Sequence, residues 1–578
     1  MKVLLLVLLS ATNLYSKQSY IDYVSPFHPV VGSSGMVASQ NVLSSELGIE
    51  ILNKGGNAVD AAVAVGFSLA ITLPRAGNLG GGGFMLVYIK EKNEIFYIDY
   101  RSRSPLNSNI RNIFNLRKNA PDSAPINFNN KKFDIVRYGY HAPAIPGTVA
   151  GLLDAHSNFG VLPLEEILEP VINMAKEGIL VSYDLSKAIE STPQLKNDPE
   201  SKKIYFIDNK PLPENYLMKR PDLANTISLI SKNGKNGFYK GEVAKKFIDA
   251  MKSNKGLFEF QDLDSYQADI RMPIAGSYRK NMVFTAGPPS GGGITLLTAL
   301  NVLSFFDLKK YKSNSIYTYH LLSEALRRGH NNRSHFVGDP DYFDVPVEKL
   351  LSKERTIELT KSINMKKASK STSIKPLNHV EEGRNTTHFS ILDSDGNAVS
   401  NTYTLGYSFG SGVTIPGTGV LLNNQMNNFA YSYGDKEERG RAASFGNKFE
   451  PGKKPMSTMA PVMVFNKKNE LSLITGSPGG SLIPAAILRV LTGVIDFDLN
   501  IGEATMLTRV HKDWPALGIR YENTLTPIVV KRLRDMGHGA KSDKTMGSTQ
   551  SIHIIDGVNY GYSDPVSYTH LTLPTSYA

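Results

Sequence analysis

The four residues Asn385-Thr386-Thr387-His388 contain a hydroxyl that could act as a nucleophile, directly before a strand-like run at 389–393. A threonine hydroxyl is a weak nucleophile unless a base lies within hydrogen-bond reach. If the backbone is cut just before Thr386, the freed α-amine can be that base, because its pKa is near neutrality. One residue would then supply both nucleophile and base. The alternative for these four residues is a turn that leads into a strand.

A second nucleophile pattern occurs at 406–410, where GYSFG fits G-x-S-x-G around Ser408. A nucleophile elbow needs a helix straight after the serine. The following residues, SGVTIPG at 411–417, are not typical of a helix. We therefore interpret the serine match as chance.

Uncommon sequence motifs follow Thr386, and other uncommon motifs stand earlier in the chain. From Thr386 the chain reads TTHFSILDSDGNAVSNTYTLGYSFGSGV, then GVLLNNQMNNFA, KKPMSTMAPVMVF and ITGSPGGSLIPAAILRVL. Before it stand GGNAVDAAVAVGF, GNLGGGGFM, PGTVAGLLDAH, GPPSGGGITLL and a Gly-Asp-Pro-Asp run at 338–341. Over 35–565 the series resembles the γ-glutamyltranspeptidases, members of the N-terminal-nucleophile hydrolase superfamily. The resemblance implies an α+β fold, a four-layer αββα sandwich with two stacked sheets between helices.

The composition excludes several classes of site. With 41% hydrophobic and 20% charged residues, the 578-residue chain is typical of a soluble globular protein. It has no cysteines, which excludes disulfides and thiolate metal sites. It has no H-E-x-x-H or other compact histidine cluster, so we expect no catalytic metal and no cofactor.

The net charge of +11 does not indicate a nucleic-acid binder. Such a protein concentrates its charge in stripes interleaved with aromatic residues. Here Lys and Arg are scattered, apart from one dense stretch at 361–375. That stretch favours a solvated linker, and no nucleic-acid partner is expected.

The N-terminus predicts export. Met1-Lys2 precedes an apolar run at 3–9 that turns polar near Ser16, which indicates a secretory signal peptide over 1–16. A membrane span would need roughly 20 apolar residues. The apolar stretch 58–73 is too short and contains Asp60, so it predicts a buried helix. We expect a periplasmic or secreted protein without a stable membrane anchor.

Helical and strand-like stretches stand in separate blocks, which favours α+β layering over Rossmann-like alternation. Helices are predicted at 43–53, 57–70, 149–155, 164–175 and 316–328, and strands at 84–98 and from 389 onward. The four glycines at 80–83 open a strand, so they indicate close backbone packing rather than a phosphate loop.

The polar, basic segment 361–384 cannot bury enough apolar surface to hold itself rigid, which suits a chain that breaks at Asn385. We predict a large subunit, 25–385, and a small subunit, 386–565, which associate as a heterodimer. The last residues, VSYTHLTLPTSYA at 566–578, depart from the usual end of the family and are interpreted as a non-native tail.

The resemblance assigns roles to three further residues in catalysis. Thr404, 18 residues after Thr386, would bond the nucleophile's amine, although an ordinary strand threonine is the alternative. Gly479 and Gly480 match the family's oxyanion hole. Glycines let backbone N–H groups approach an oxyanion closely, and one such donor contributes ~3 kcal/mol. A tight turn is the alternative for the pair.

The resemblance also implies that one arginine and two residues with hydroxyl groups bind the substrate. Arg101 matches the arginine that binds the substrate's α-carboxylate, for which a bidentate guanidinium is the natural partner. An exposed arginine in a surface ion pair is the alternative. Ser457 and Thr458 match a serine pair that contacts the same carboxylate.

Two positions depart from the family pattern. Gly406 stands where the family usually has Asn. Asn428 stands where the family has an acid that pairs with the substrate's α-ammonium, leaving Gln425 as a neutral acceptor. An amide in place of the acid exchanges a charge-assisted hydrogen bond for a neutral one of about half its strength.

These residues predict a self-processing enzyme that cleaves γ-glutamyl amides such as glutathione through a threonyl ester. The acyl group would pass to water or to an amino acid or peptide. One alternative is a glutaryl or cephalosporin-type acylase of the same family, with relaxed recognition of the amine. Another is an exported binding protein that never matures.

Overall fold

The computed structural model describes residues 27–108, 137–371, 385–430, 445–516 and 518–565 of the uncut chain. The predicted signal peptide at 1–16 and the tail at 566–578 lie outside the described residues. So do 372–384 of the polar segment before the predicted cleavage site.

Two large antiparallel sheets form the centre of the described fold. One has six strands, in the order β2 (Met36–Ala38), β12 (Asn385–Leu392), β13 (Ala398–Gly406), β3 (Gly82–Ile89), β4 (Glu94–Tyr100) and β9 (Asp269–Arg271). The other has seven, in the order β1 (Val30–Gly32), β20 (Val558–Ser563), β19 (Gln550–Ile555), β15 (Leu471–Thr475), β14 (Val462–Phe465), β11 (Asn281–Thr285) and β10 (Ile274–Tyr278).

Three smaller sheets complete the strands of the described residues. They are β16 (Val510–His511) with β17 (Gly518–Glu522) and β18 (Gly539–Asp543), β5 (Ile179–Leu180) with β8 (Leu217–Met218), and β6 (Phe206–Ile207) with β7 (Lys210–Pro211).

Helices cover the outer face of each large sheet. The six-stranded sheet packs against α1 (Val42–Asn53), α2 (Ala58–Thr72), α3 (Thr148–Phe159) and α4 (Leu164–Glu177). The seven-stranded sheet packs against α11 (Gly291–Leu303), α12 (Ile316–Phe336) and α15 (Ile483–Phe497). The remaining helices are α5 (Tyr183–Glu190), α6 (Pro199–Tyr205), α7 (Pro221–Asn233), α8 (Asn236–Tyr239), α9 (Gly241–Ser253), α10 (Phe260–Asp264), α13 (Val347–Leu351), α14 (Lys353–Lys361), α16 (Ile501–Met506) and α17 (Pro527–Asp535).

Alternation along the strands shows how four layers are built. On β3, Met85 and Val87 belong to the core under the helices, whereas Phe84 and Leu86 belong to the core between the sheets. Successive strand residues point to opposite faces, so a strand that is apolar on both sides must be buried on both. The predicted αββα sandwich is confirmed.

The predicted apolar helix is α2, and all its residues are buried. Its one acid, Asp60, closes a capping box with Asn57 and also accepts hydrogen bonds from the backbone of Val161. A buried carboxylate is tolerated when backbone donors satisfy it in this way. The predictions for α1, α3, α4 and α12 are likewise confirmed, although α12 runs farther, to Phe336.

Within the described residues, one helical stretch, Gly480–Phe497, is long and apolar enough to cross a membrane. Because 78% of that stretch is buried inside the fold, it is a core helix.

The polar segment before the predicted cleavage site is held more firmly than its sequence suggests. Lys366, Lys367 and Lys370 are exposed, as expected for a solvated stretch. The backbone is nevertheless bound to the fold, because Ser369 N donates to Glu324 and Ser371 O accepts from the indole of Trp514. The linker prediction is therefore wrong for 362–371, where long-range contacts replace the missing apolar surface.

Candidate active site

Thr386 is the second residue of β12, at the end of the strand that borders the β-bulge. Phe389 and Ile391 of the same strand belong to the helix-side core, so the even-numbered positions point the other way. The strand starts at Asn385, earlier than the sequence indicated, because Asn385 pairs with Gly406 of β13. Thr386 is 5% exposed.

A β-bulge separates Thr386 from the regular part of the sheet. The register runs from Thr387 opposite Tyr403 to Asn385 opposite Gly406, so Thr386 faces both Thr404 and the residue after it. Bulges bend a strand and re-aim side chains, and they are common beside active sites. Thr386 and Thr404 therefore lie opposite each other on two neighbouring strands.

Thr404 is fixed by hydrogen bonds at both of its oxygens. Its Oγ1 accepts from the backbone N–H of Gly406 at 2.8 Å. Its carbonyl accepts from Nε2 of Gln425 at 2.8 Å. Gln425, in the 3₁₀ helix Gln425–Asn428, is thus brought directly to the Thr386–Thr404 pair.

His388 lies two residues after Thr386 on β12, and its side chain is buried between the two sheets. Its Nδ1 is 2.8 Å from Thr402 Oγ1 and its Nε2 is 3.1 Å from Ser390 Oγ. Since the Ser390 hydroxyl donates to the Gln550 carbonyl, it accepts from Nε2–H, and the Thr402 hydroxyl donates to Nδ1. Burial lowers the pKa of His388 to about 3, so the imidazole is neutral.

His388 also sets the position of the glycine-rich loop of the opposite sheet. A Cβ added to Gly476 would lie 2.3 Å from the imidazole, so the loop can approach only because that residue is glycine. The sequence assigned no role to His388, although it is part of the Asn385-Thr386-Thr387-His388 run.

We predict that His388 makes stability fall in acid. The unfolded histidine titrates near 6.5 and the folded one near 3, so below pH 6.5 the unfolded state binds more protons. Each pH unit in that window costs about 1.4 kcal/mol. In urea unfolding, the free energy of unfolding of wild type should therefore exceed that of His388→Gln by about 2 kcal/mol less at pH 5 than at pH 7. A gap that does not change with pH would contradict a neutral buried imidazole.

Gly479 and Gly480 follow β15 on the seven-stranded sheet and directly precede α15. Their φ angles are +137° and +57°, which L side chains rarely adopt. Ser548 N donates to Ser477 Oγ and thereby fixes the loop from the other side. The pair is therefore a tight turn whose N–H groups begin a 3₁₀ turn and then a long helix, where anions are favoured.

Arg101 follows β4 at the same edge of the six-stranded sheet, and it is 1% exposed. Its Nε donates to Pro455 O at 3.0 Å and its Nη2 lies 3.5 Å from Met456 O. These carbonyls directly precede Ser457 and Thr458, which are also buried. The alternative of an exposed surface arginine is therefore wrong. The structure brings Arg101 together with the two predicted hydroxyl residues.

A buried ion-pair network supports the strand end that precedes Arg101. Lys454 Nζ lies 2.7 Å from Asp99 Oδ2 and also contacts Asp269. Arg271 bridges Asp99 at 3.2 Å and Asp269 at 3.3 Å. Burial alone would raise the pKa of Asp269, but Lys454 and the neighbouring arginines lower it overall. This network joins residues far apart in sequence.

The Gly-Asp-Pro-Asp run at 338–341 anchors the same network. Asp339 accepts from the backbone N–H of Lys454 at 2.7 Å, and Asp341 pairs with Arg271 at 2.6 Å. The run therefore helps to hold the segment that carries Ser457.

The comparisons with known proteins match this chain over nearly its whole length. The γ-glutamyltranspeptidase family model matches residues 44–572. The glutathione hydrolase proenzyme of Escherichia coli (strain K12) is 38% identical over 94% of this chain and 93% of its own length.

The chain belongs to the γ-glutamyltranspeptidase family.

Two solved structures extend the comparison. The cephalosporin acylase from Bacillus halodurans has a TM-score of 0.82 and 26% identity, covering 96% of this chain and 98% of that one. The Helicobacter pylori γ-glutamyltranspeptidase chain has a TM-score of 0.54 and 32% identity, covering 62% of this chain and 97% of that one. Family membership makes the protein an N-terminal-nucleophile hydrolase with γ-glutamyl hydrolase or transferase activity.

The departure at Gly406 from the γ-glutamyltranspeptidase pattern has a local cause. Gly406 has φ +101°, and a Cβ there would lie 2.2 Å from Asn424 Oδ1. That oxygen accepts from Tyr407 N at 3.0 Å. An amide from another segment therefore occupies the space beside the strand end. This role of Asn424 is not recognisable in the sequence, because Asn424 is one of several asparagines in its run.

Asn428, the second departure, lies at the end of the 3₁₀ helix that begins with Gln425. Asn428 is 9% exposed and Gln425 is fully buried. The carbonyl of Asn428 accepts from Asn447 Nδ2 at 2.8 Å, which ties it to the 3₁₀ turn Phe445–Asn447. Gln425 Oε1 has no hydrogen-bond partner among the described residues. Both predicted acceptors thus lie on one short buried turn next to Thr404.

Proposed function

We propose that Thr386 Oγ attacks the γ-carbonyl carbon of a γ-glutamyl amide after the chain is cut between Asn385 and Thr386. The freed α-amine of Thr386 takes the hydroxyl proton and returns it to the leaving amine as the C–N bond breaks. Water or an acceptor amine then attacks the carbonyl carbon of the threonyl ester. The α-amine of Thr386 takes its proton and returns it to Thr386 Oγ as the C–O bond of the ester breaks. The observation that carries this proposal is Thr386 at the bulge opposite Thr404.

Each group around Thr386 has a role in the proposed reaction. The N–H groups of the Gly479-Gly480 turn stabilise the oxyanion, and Thr404 orients the Thr386 amine. Arg101, with Ser457 and Thr458, binds the substrate α-carboxylate. Gln425 and Asn428 accept from the α-ammonium. In maturation the same hydroxyl attacks the Asn385 carbonyl carbon, and an ester forms as the Asn385–Thr386 C–N bond breaks and the nitrogen takes the hydroxyl proton. Water then hydrolyses this ester, which frees the Asn385 carboxyl group and the Thr386 hydroxyl.

Glutathione is the γ-glutamyl substrate we propose, with water or an amino acid or peptide as acceptor. The name of the Escherichia coli relative, glutathione hydrolase proenzyme, supports both the substrate and a precursor that is cleaved. The Helicobacter pylori chain covers 62% of this chain, close to the share that 25–385 represents. We propose that 25–385 and 386–565 remain associated as a heterodimer. We further propose that the leader at 1–16 directs the protein to the periplasm or exterior.

A second candidate is a glutaryl or cephalosporin-type acylase. One observation favours it: a neutral amide, Asn428, stands where a carboxylate would hold the α-ammonium. The similarity in fold to the Bacillus halodurans cephalosporin acylase is consistent with this candidate. An acyl group without the amine would be penalised less at a neutral pocket.

A substitution that places a negative charge at position 428 distinguishes the two candidate functions. Asn428→Asp should raise the preference for γ-glutamyl over glutaryl p-nitroanilide about tenfold, because a charge-assisted hydrogen bond replaces a neutral one. The measurement is kcat/KM for both anilides with the purified, cleaved enzyme. Asn427→Asp, one residue earlier on the same buried turn, is the matched control and should not raise the ratio. An equal rise in both variants would reject Asn428 as the amine acceptor.

A further inference from the structure

Two histidines and an aspartate from distant parts of the chain meet in the outer layer beside the seven-stranded sheet. His330, on α12, has Nδ1 3.4 Å from Asp513 Oδ1. His511, the last residue of β16, has Nε2 3.2 Å from Asp513 Oδ2. The two imidazole rings lie 5.0 Å apart and nearly perpendicular. One ligand-type atom from each residue lies within 4.8 Å of the other two.

The two histidine–aspartate separations, each to a different oxygen of Asp513, are close to the spacing of neighbouring ligand atoms around zinc. Zinc–nitrogen and zinc–oxygen bonds of about 2.0–2.1 Å in a tetrahedron place neighbouring ligand atoms about 3.3–3.4 Å apart. The Asp513 oxygens are 3.2 and 3.4 Å from the two ring nitrogens. Two imidazoles and one carboxylate are also a ligand set that zinc accepts.

The orientation of His511 supports a ligand role over a simple ion pair. The residue is fully buried, yet neither ring nitrogen meets hydrogen-bond geometry with any partner in the described part of the chain. Nε2 is within ion-pair distance of Asp513, but its N–H direction does not point at the carboxylate. A buried imidazole without a hydrogen bond is costly, and a cation beside Nε2 would remove the part of that cost that falls on Nε2.

A second cluster of the same composition provides an internal contrast. His320, Glu324 and His538 also bring three ligand-type atoms within 4.8 Å. There, however, Arg328 bonds the Glu324 carboxylate at 2.6 Å. His320 uses both nitrogens, on His538 at 2.8 Å and on Asn364 O at 3.0 Å. In that cluster one ring nitrogen, Nδ1 of His538, lacks a hydrogen-bond partner among the described residues, whereas His511 lacks one at both of its ring nitrogens.

We propose that His330, His511 and Asp513 bind a divalent transition cation of the zinc type. Asp513 supplies the single negative charge, and its side chain, 11% exposed, leaves an opening for a water as fourth ligand. The site lies outside the Thr386 region, so its role is structural. The expectation of no metal from the sequence rested on the lack of a compact histidine motif. These ligands come from segments too far apart to form one.

The cation would join the two parts of the cleaved protein. His330 belongs to the proposed large subunit, and His511 and Asp513 belong to the small one. Only this consequence rests on the proposed cleavage at Asn385. Cation binding itself does not, so uncleaved Thr386→Ala protein should bind zinc as well as wild type does. A failure of the proposed function is thereby distinguished from a failure of the metal site.

The test measures metal content in full-length protein purified from zinc-supplemented and from chelator-treated medium. Wild type from zinc medium should contain stoichiometric zinc by plasma mass spectrometry, and X-ray absorption should show nitrogen and oxygen ligands near 2.0–2.1 Å. It should melt several degrees higher than zinc-free protein, because a ligand that binds only the folded state stabilises it. Asp513→Asn, which keeps the size of the side chain, should lose the zinc.

His538→Gln, in the hydrogen-bonded cluster, is the matched control and should keep its zinc. Circular dichroism identifies any variant that fails to fold, and His330→Gln then replaces it. Zinc-free wild type from zinc medium would overturn the proposal. So would full zinc content in folded Asp513→Asn, or equal loss in His538→Gln.

Discussion

Replacing Thr386 with alanine should leave one full-length polypeptide and lower γ-glutamyl anilide turnover by at least about 10⁴-fold. The substitution removes the hydroxyl that is proposed both to cut the chain and to form the acyl-enzyme, so both events fail together. Denaturing gels report the cleavage, and p-nitroanilide release reports the turnover. The residual rate measures what binding and the Gly479-Gly480 turn contribute without a nucleophile.

The matched control for this variant is the next residue. Thr387 points to the helix side of the sheet, is fully buried, and its Oγ1 has no hydrogen-bond partner among the described residues. Thr387→Val keeps its branched shape and should leave cleavage and turnover unchanged. If Thr387→Val abolishes cleavage and Thr386→Ala does not, the assignment of the nucleophile is wrong.

Arg101→Lys should lower kcat/KM for γ-glutamyl substrates about 10²-fold, mainly through KM, and Arg101→Gln about 10³-fold. Lysine keeps the charge but loses the planar fork that can bind a carboxylate with two parallel hydrogen bonds. Glutamine loses both. Steady-state kinetics with γ-glutamyl p-nitroanilide measures the effect. Cleavage into two bands should persist, because maturation does not use the substrate carboxylate.

Arg103→Lys is the control for Arg101. Arg103 lies two residues farther along, with its side chain 28% exposed, and pairs with Asp269 at 2.9 Å. A lysine can make a similar ion pair there, so KM should not change. An Arg101→Lys enzyme with normal KM would show that the arginine only supports the 455–458 segment.

Local pattern predicts the α+β class and several single elements of the fold, whereas the four layers are implied by the family resemblance. The continuous apolar runs in α2 and β3 are visible in the sequence without any knowledge of their packing partners. The glycines at 80–83 were also correctly interpreted. A Cβ at Gly80 would lie 2.1 Å from Leu421 O, and one at Gly83 would lie 2.4 Å from the Tyr403 side chain. Backbone crowding leaves a signature in the sequence itself.

The contacts that fix the candidate site could not be predicted, because they join residues hundreds of positions apart. Asn423 bonds the carbonyls of Gly80 and Ala144, at 2.7 Å each. Lys454 meets Asp99 in the same way. A side chain that completes a site from another segment is invisible in sequence until the fold brings it there. The family resemblance supplied the candidate residues, and the structure supplied their supports.

The most direct test of this account is the N-terminal sequence of the smaller fragment in fully active wild-type enzyme. The account predicts that it begins Thr-Thr-His-Phe, at Thr386, and that its amount rises in step with activity during maturation. An active enzyme whose smaller fragment begins at any other residue would contradict the central claim. Activity in a chain that is never cleaved would do the same.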